Sequence, residues 1–177
     1  MQYSIGEYSS KAFSRFQLLA GVDEVGRGPL AGPVVACAVV FHKDFKLDGL
    51  KDSKKLSSKR RAQLCEAILA GAESVNWAFV NEVTIDLCNI YQAARQAMEA
   101  SVNGLSVTPQ AILVDAMHLP SITIDQTSLV KGDQREPCIM AASIVAKEVR
   151  DKYMRQLGEI YPNYGFEKHM GYGTVQH

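Results

Sequence analysis

Short apolar runs, separated by clusters of glycine, proline and charged residues, predict an alternation of strands and helices. A run that begins at Leu18 and ends at Asp23 and Glu24 predicts a first strand, and a Val- and Ala-rich run predicts a second over residues 33–41. Further strands are predicted at residues 74–80, 111–114 and 128–131. A tight glycine–proline link joins the first two strands, and we therefore expect them to pair antiparallel.

Apolar residues at helical spacing predict three helices. The first has Ser57 or Ser58 as its N-cap and ends near residue 71. The second covers residues 84–102, with an inward stripe of Leu87, Ile90, Tyr91, Ala94 and Met98. The third begins at Pro137 and ends near Gly158. This order predicts an α/β fold with a mixed sheet.

The domain organisation is simple. Residues 1–17 show no clear period, and we expect them to form a loosely attached N-terminal arm. A chain of 177 residues with 47% apolar and 21% charged residues is typical of one globular domain, which we place at residues 18–177.

Composition also limits the cellular setting. No apolar run approaches the roughly 18 residues of a membrane span, and the first ten residues lack the pattern of a signal peptide. Cys37, Cys65, Cys88 and Cys138 form no Cys-x-x-Cys pair, which favours reduced thiols. We therefore expect a cytoplasmic protein that does not bind membranes.

The formal net charge is zero, with 19 basic and 19 acidic residues, whereas nucleic-acid-binding proteins are often basic overall. The segment 46–61 is nevertheless locally basic, because its two acids, Asp48 and Asp52, are outnumbered by Lys46, Lys51, Lys54, Lys55, Lys59, Arg60 and Arg61. Such a patch suits a phosphate backbone. A solvated helix face is the alternative, and the pattern leaves both open.

Acidic residues fall at the ends of three predicted strands: Asp23 and Glu24, then Asp115, then Asp133. Carboxylates beside apolar strands cost free energy unless they are paired or bound to a cation. Ligands of open α/β sheets lie at the carboxyl ends of strands, and hard cations such as Mg²⁺ and Mn²⁺ prefer oxygen ligands. The pattern therefore favours a site for divalent cations, and two such ions are the usual device for phosphodiester hydrolysis.

One difficulty is that adjacent strand residues point to opposite faces. Asp23 and Glu24 reach one site only if the strand bends or ends there, which Gly26 and Gly28 permit. An aspartate at a strand end is also often a simple turn residue. The spacing leaves the metal site and the turn as alternatives.

Two further segments are candidates for ligand contact. Gly26-Arg27-Gly28 matches neither a dinucleotide-binding loop nor a P-loop, although its glycines allow a close approach of the backbone to a ligand. Residues 164–174 interleave aromatic residues with Lys168 and His169, which suits stacking on sugars or bases but equally suits a packed loop. The chain has no Gly-x-Ser-x-Gly motif.

In combination, these motifs resemble the ribonuclease HII family, the bacterial type 2 ribonucleases H. The resemblance covers nearly all of residues 18–177. It rests on the segment 21–35 (GVDEVGRGPLAGPVV), Asp52-Ser53-Lys54-Lys55-Leu56, Val114-Asp115, Lys131-Gly132-Asp133, residues 142–147 with Arg150-Asp151, and Gly171-Tyr172-Gly173-Thr174.

The resemblance implies a ribonuclease H-like fold, with five strands in the order 3-2-1-4-5 and strand 2 antiparallel. It implies cleavage of the RNA strand of RNA–DNA hybrids and nicking on the 5′ side of ribonucleotides embedded in duplex DNA. Hydrolysis with two bound ions, Mg²⁺ or Mn²⁺, would leave 5′-phosphate and 3′-hydroxyl ends. Their ligands, which are also the catalytic residues, would be Asp23, Glu24, Asp115 and Asp133.

The resemblance also implies substrate-binding residues. Gly26, Arg27 and Gly28 would contact the 2′-hydroxyl and its phosphate, and Tyr172 would pack on the adjoining deoxyribose. Lys54 would contact a phosphate. Ser143 and His169 are further candidates, for which a structural role is the alternative. We expect a monomer that acts in ribonucleotide excision repair.

The chain departs from the family pattern in places. Met170 replaces a common lysine, Glu136-Pro137-Cys138 replaces a serine-rich segment, and Glu148 replaces an apolar residue. The family's usual C-terminal segment is not part of the sequence. The missing segment leaves a hybrid-binding module that does not cut as one alternative function, against which the presence of all four acids argues. A DNA nuclease or resolvase on the same fold is another, against which Gly26-Arg27-Gly28 and Tyr172 argue.

Overall fold

The computed structural model describes residues 6–45, 49–50, 53–175 and 177. In this part of the chain there are five strands: β1 (Leu18–Val25), β2 (Val34–His42), β3 (Ser74–Val80), β4 (Ala111–Asp115) and β5 (Asp125–Leu129). They form one sheet in the order β3-β2-β1-β4-β5. β2 is antiparallel to β1 and β3, whereas β4 is parallel to β1 and β5. The predicted order and the antiparallel second strand are confirmed.

The described helices are α1 (Glu7–Phe13), α2 (Ser58–Gly71), α3 (Glu82–Cys88), α4 (Ile90–Asn103), α5 (Pro137–Ile160) and α6 (Phe166–His169). Helices α2 and α5 pack on one face of the sheet, where Leu19 of β1 is buried, and α4 packs on the other, where Val22 is buried. Because both faces are covered, β2 is buried almost throughout, which explains its continuous apolar sequence. None of the described helices is both long and apolar enough to cross a membrane.

Helix α5 lies directly on β1. A Cβ atom at Gly21 would lie 2.1 Å from the carbonyl carbon of Cys138, so no larger residue fits there. This contact brings the first turns of α5 against the half of β1 that carries Asp23. The predicted start of this helix at Pro137 is confirmed, and the helix ends at Ile160, two residues beyond Gly158.

The predicted helix over residues 84–102 is two helices. Asn89 separates α3 from α4 with a backbone φ of 70°, and its Oδ1 accepts hydrogen bonds from the amides of Tyr91 and Gln92. Because the helix does not continue through Asn89, the predicted inward stripe is interrupted there, and Leu87 of α3 and Tyr91 of α4 are exposed. Ala94 and Met98 are buried as predicted.

Two other segments differ from the prediction. β5 covers Asp125–Leu129 rather than residues 128–131, because this edge strand is polar and only Leu129 is buried. Residues 7–13 form a helix rather than part of a loose arm, because Ser9 is buried and hydrogen-bonded to Glu136 at the start of α5. For α2, Ser57 is the N-cap, and its hydroxyl accepts from the amide of Arg60.

Candidate active site

Three carboxylates meet where β1 and β4 end. The parallel register pairs Val22 with Val114, and the next residue on each strand is an aspartate, Asp23 and Asp115. One carboxylate oxygen from each of Asp23, Glu24 and Asp115 lies within 4.8 Å of the others. The adjacent residues Asp23 and Glu24 do reach one site, although β1 continues to Val25 without ending between them.

The pKa values of all three acids are raised, which indicates that too little positive charge surrounds them. Burial raises the pKa of Asp23 well above its usual range, and the charges of Glu24 and Asp115 raise it further. Burial raises the pKa of Glu24 to about 7, although Arg27 opposes the shift. Burial also raises the pKa of Asp115, which the amide of Gly132 partly offsets. A bound cation would favour the ionised form of all three.

The donor set fits a hard divalent cation. Such ions bind oxygen ligands, and all three side chains supply carboxylate oxygens. Oε2 of Glu24 is buried and has no hydrogen-bond partner among the described residues. A buried acceptor without a partner costs free energy, and a metal ion at this position would remove that cost.

Asp133 lies beside this group but outside the set of oxygens within 4.8 Å of one another. It is buried on a short 3₁₀ helix, Gly132–Gln134, that follows β5. Its charge raises the pKa of Asp115, and the Gly132 amide donates to Oδ1 of Asp115 at 2.7 Å. Asp133 is therefore a neighbour of Asp115, as predicted from the strand ends.

Ser143 contacts the carboxylates from α5. Its hydroxyl hydrogen-bonds the Asp23 carboxyl, which lowers the pKa of Asp23, and lies 3.0 Å from the hydroxyl of Ser53. Ser143 is buried, and its two partners among the described residues are the carboxyl group of Asp23 and the hydroxyl of Ser53, which begins the short 3₁₀ helix Ser53–Lys55. A substrate contact for Ser143 stays a prediction.

The basic segment divides into parts with different environments. The side chain of Lys54 is 79% exposed, and its Nζ lies 3.7 Å from Oδ2 of Asp133. Arg61 is buried in ion pairs with Glu148 and Asp151, so the alternatives of a solvated face or a phosphate contact are both wrong for it. Residues 46–48, 51 and 52, with the side chain of Lys55, lie outside the described residues.

The Gly26-Arg27-Gly28 loop lies beside the acids and faces Tyr172. Gly26 has a φ of 106°, and a Cβ there would lie 2.6 Å from the Pro33 carbonyl oxygen. Nη1 of Arg27 lies 3.4 Å from Oε1 of Glu24. A Cβ at Gly28 would lie 3.8 Å from the Tyr172 ring. The structure therefore brings together the loop and the tyrosine that the sequence places almost 150 residues apart.

Arg150 joins these two segments, and the pattern of the sequence assigned it no role of its own. It is fully buried, and its guanidinium donates to the carbonyls of Pro33 (2.9 Å), Ala31 (3.1 Å) and Met170 (2.9 Å). Its Cζ lies 6.0 Å from the Tyr172 ring centroid. The only signal in the sequence was an arginine within the inward face of a helix.

His169 holds the segment that carries Tyr172 through hydrogen bonds of its ring. It is buried, its Nε2 lies 2.7 Å from the Tyr164 carbonyl oxygen, and its Nδ1 accepts from the Gly171 amide. Both ring nitrogens are therefore engaged within the protein. The Gly171 carbonyl in turn accepts from the amides of Leu30 and Ala31. These contacts favour a structural role for His169, and substrate contact by it stays a prediction.

Comparison with known proteins agrees with this arrangement. The family model described as Ribonuclease HII matches residues 20–177. This chain belongs to the ribonuclease HII family. Ribonuclease HII of Bacillus cereus (strain Q1) is 56% identical over 159 residues, which are 90% of this chain and 62% of that relative. The chain thus spans less than two thirds of the length of that curated ribonuclease HII.

Solved structures show the same fold. The crystal structure of ribonuclease H2 from Pyrococcus horikoshii OT3 superposes with a TM-score of 0.76 at 27% identity, covering 89% of this chain and 82% of that one. Ribonuclease HII from Archaeoglobus fulgidus, in a structure of its complex with PCNA, superposes with a TM-score of 0.75 at 27% identity, covering 90% and 84%. The ribonuclease H-like fold is therefore confirmed.

Proposed function

We propose that this chain is a metal-dependent endoribonuclease that cuts the RNA strand of RNA–DNA hybrids and nicks on the 5′ side of ribonucleotides embedded in duplex DNA. The observation that carries the proposal is the meeting of Asp23, Glu24 and Asp115 within 4.8 Å, next to the loop at Gly26 and Gly28. Family membership supports the reaction class.

In this proposal the four acids hold Mg²⁺ or Mn²⁺, as two ions. Asp23, Glu24 and Asp115 supply the close oxygens, and Asp133 completes the set from beside Asp115. When bound, the ions activate a water nucleophile and stabilise the leaving 3′ oxygen, which leaves 5′-phosphate and 3′-hydroxyl ends. The Ser143 hydroxyl orients the Asp23 carboxylate, since it donates a hydrogen bond to it.

The neighbouring loops provide recognition of the ribonucleotide. Gly28 is exposed and without a side chain, so a ligand can approach the loop backbone closely there, whereas Gly26 is buried against the Pro33 carbonyl and gives the loop its positive φ. In this proposal Gly26, Arg27 and Gly28 contact the 2′-hydroxyl and its phosphate, with Arg27 beside Glu24 at the same edge. The Tyr172 ring, 38% exposed, offers a face for the adjoining deoxyribose. Lys54, also exposed, contacts a phosphate next to Asp133. His169 serves this surface by holding the Tyr172 segment.

The wider assignment belongs to the same proposal. We treat residues 18–177 as the catalytic domain of a monomer that acts in the cytoplasm, in the excision of ribonucleotides from DNA. Its partners are then the hybrid and the ribonucleotide-containing duplex.

The deciding experiment uses a DNA duplex that contains one ribonucleotide, incubated with the full chain and Mg²⁺ or Mn²⁺, and then with EDTA. The proposal predicts nicking on the 5′ side of the ribonucleotide that EDTA abolishes. An RNA–DNA hybrid tests the second substrate, and an all-DNA duplex is the matched control.

Two other outcomes identify the alternatives. Binding without nicking under both metals would show a hybrid-binding module that does not cut. Equal cutting of the all-DNA duplex would show a DNA nuclease or resolvase. The cluster of Asp23, Glu24 and Asp115 favours cleavage over a module that only binds. The glycines at positions 26 and 28 and the facing Tyr172 ring favour ribonucleotide recognition over a DNA nuclease.

A further inference from the structure

Glu136 makes an unusual contact for a residue at the start of a helix. It occupies the N-cap position of α5, but its side chain does not cap that helix. The carboxyl group, in a residue only 1% exposed, instead accepts hydrogen bonds from α1. The donors are the amides of Tyr8 (3.2 Å) and Ser9 (3.0 Å) and the hydroxyl of Ser9 (2.6 Å).

Other contacts join the same two segments. A Cβ atom at Gly6 would lie 2.5 Å from both the Arg135 carbonyl oxygen and Oε2 of Glu136, so the backbones approach closely. The Arg135 guanidinium lies 5.6 Å from the ring centroid of Tyr8. We call the contacts of residues 6–9 with residues 135–136 the α1 clasp.

The α1 clasp holds one end of the segment that carries Asp133. The Glu136 amide donates to the Gly132 carbonyl at 2.8 Å, and the Gly132 amide donates to Asp115 at 2.7 Å. A continuous series of hydrogen bonds thus runs from Ser9 through Glu136 and Gly132 to a site carboxylate. Asp133 lies within the turn that the hydrogen bond between Glu136 and Gly132 closes.

This segment needs support from outside. Lys131, immediately before it, has left-handed backbone angles (φ 57°, ψ 39°), which non-glycine residues adopt at an energetic cost. Lys54 is the exposed residue paired with the Asp133 carboxylate, at 3.7 Å. The buried carboxyl of Glu136 is therefore the firmest anchor that the described contacts provide for the turn.

We infer that Glu136 is a positioning residue, which uses the α1 clasp to hold Asp133 in place for metal binding. The inference rests on the proposed function, because it assigns Asp133 to the metal site. Mutation of groups that orient metal ligands typically lowers metal affinity by about 10–100-fold. Glu136 acts through the backbone, so a loss at the lower end of that range is expected.

The test is Mn²⁺ binding to the full chain, measured by calorimetry without nucleic acid. Glu136→Gln keeps the size of the side chain and one acceptor, and we expect it to weaken Mn²⁺ binding about tenfold. Ser9→Ala removes the 2.6 Å hydrogen bond to Glu136 and the weak 3.7 Å contact with Sγ of Cys138, but leaves both amide donors to Glu136, and we expect a smaller weakening in the same direction. Ser10→Ala is the matched control, since it makes the same change at the next position of α1, which is exposed, and should leave Mn²⁺ affinity unchanged.

A second measurement separates positioning from general stability. In the nicking assay, Glu136→Gln should raise the Mn²⁺ concentration for half-maximal rate while KM for the duplex stays the same, and excess Mn²⁺ should restore the rate. Unchanged Mn²⁺ affinity in both variants, with or without a lower melting temperature, would overturn the inference. If Glu136→Gln does not fold, Ser9→Ala decides alone.

The two proposals fail in different ways. If the unmodified chain binds Mn²⁺ but does not nick the duplex, the proposed function fails, and calorimetry still decides the role of Glu136. If nicking occurs and the variants bind Mn²⁺ normally, only the role of Glu136 fails. If the unmodified chain binds no Mn²⁺, both are overturned.

Discussion

Asp23 is the acid whose ionisation the fold disfavours most. It is 4% exposed, and burial together with Glu24 and Asp115 raises its pKa. We predict that Asp23→Asn lowers the rate of nicking by about a thousandfold, because a lost metal ligand removes several kcal/mol of charge stabilisation. Hybrid binding should change little. The measurement is single-turnover cleavage alongside a binding titration.

A control variant separates this effect from misfolding. Asp125→Asn makes the same chemical change at an exposed position of β5 and should leave cleavage unchanged. Asp23→Asn should also denature no earlier than the unmodified chain without metal, since it removes a buried charge. Cleavage by Asp23→Asn within tenfold of the unmodified rate would remove Asp23 from the catalytic set.

The raised pKa of Glu24 predicts that the stability of the metal-free chain depends on pH. Its pKa is about 7 in the fold and 4.5 as a free side chain, so the folded state binds more protons between these values. Stability is then highest below pH 4.5 for this group and falls as pH rises through 7, by about 3 kcal/mol in total, because each unit of pKa difference corresponds to about 1.4 kcal/mol. Urea unfolding at pH 5, 6, 7 and 8 with EDTA measures it.

The same group supplies the control. Glu24→Gln cannot ionise, so its stability should fall less between pH 5 and 8 than that of the unmodified chain. Saturating Mg²⁺ or Mn²⁺ should also flatten the dependence, because a bound cation favours the carboxylate. An identical pH profile for the variant would assign the effect to other groups.

At the scale of single residues, the positions of acidic side chains could be predicted from the sequence better than those of basic side chains. Asp23 and Asp115 could be placed together because they follow apolar strands, and strand ends share an edge. Arg61 could not be placed, because its ion pairs come from Glu148 and Asp151 in a distant helix. Arg150 was missed for the same reason, since its three acceptors are carbonyls that only the fold brings together.

Elements were predicted where an apolar face defined them. β1 and β2 are buried on both faces, and their apolar runs identified them. β5 is a polar edge strand and was misplaced by a few residues. Only Leu129 of it is buried, so the sequence has almost no apolar pattern to mark the strand, which is defined by its backbone pairing with β4. The break at Asn89 also has no apolar signal, since it depends on a positive φ and a side-chain cap.

Arg150 connects three elements, and this gives a prediction for the loops it joins. Arg150→Met leaves the carbonyls of Pro33, Ala31 and Met170 without their donor, and we expect a loss of about 3 kcal/mol or more in stability. Arg150→Lys keeps the positive charge and one donor nitrogen, which cannot reach all three carbonyls in the geometry of the guanidinium, and this variant should remain folded. In that variant, nicking at a single ribonucleotide should fall about tenfold, while Mn²⁺ affinity stays unchanged.

The expected split between nicking and metal affinity follows from position. Arg150 holds the turn after Gly28 and the segment of Tyr172, but its three acceptors are backbone carbonyls and none belongs to the four acids. Arg155→Met, on an exposed position of the same helix, is the control and should change neither property. Equal loss of nicking and of Mn²⁺ affinity in Arg150→Lys would show that the whole site, rather than the loops, has moved.

Across the whole molecule, zero net charge hides two groups of opposite sign. Asp23, Glu24 and Asp115 cluster near the carboxyl ends of β1 and β4, with Asp133 beside Asp115, and Lys54 lies next to Asp133 on the surface. Binding to a phosphate backbone depends on the cations near the contact and not on the average charge. Zero net charge, with 19 basic and 19 acidic residues, is therefore compatible with the proposed hybrid binding, which we expect to depend on salt concentration.

Lys54 makes this dependence measurable, because each phosphate contact changes the slope of log K against log salt concentration by about 0.9. We predict that Lys54→Gln lowers the slope for RNA–DNA hybrid binding by about that amount, measured with EDTA so that no cleavage occurs. Lys152→Gln, at an exposed position of α5 beside Trp77, should leave the slope unchanged. An unchanged slope in Lys54→Gln would mean that Lys54 contacts no phosphate of the hybrid and acts on the site carboxylates instead, since its Nζ already lies 3.7 Å from Oδ2 of Asp133.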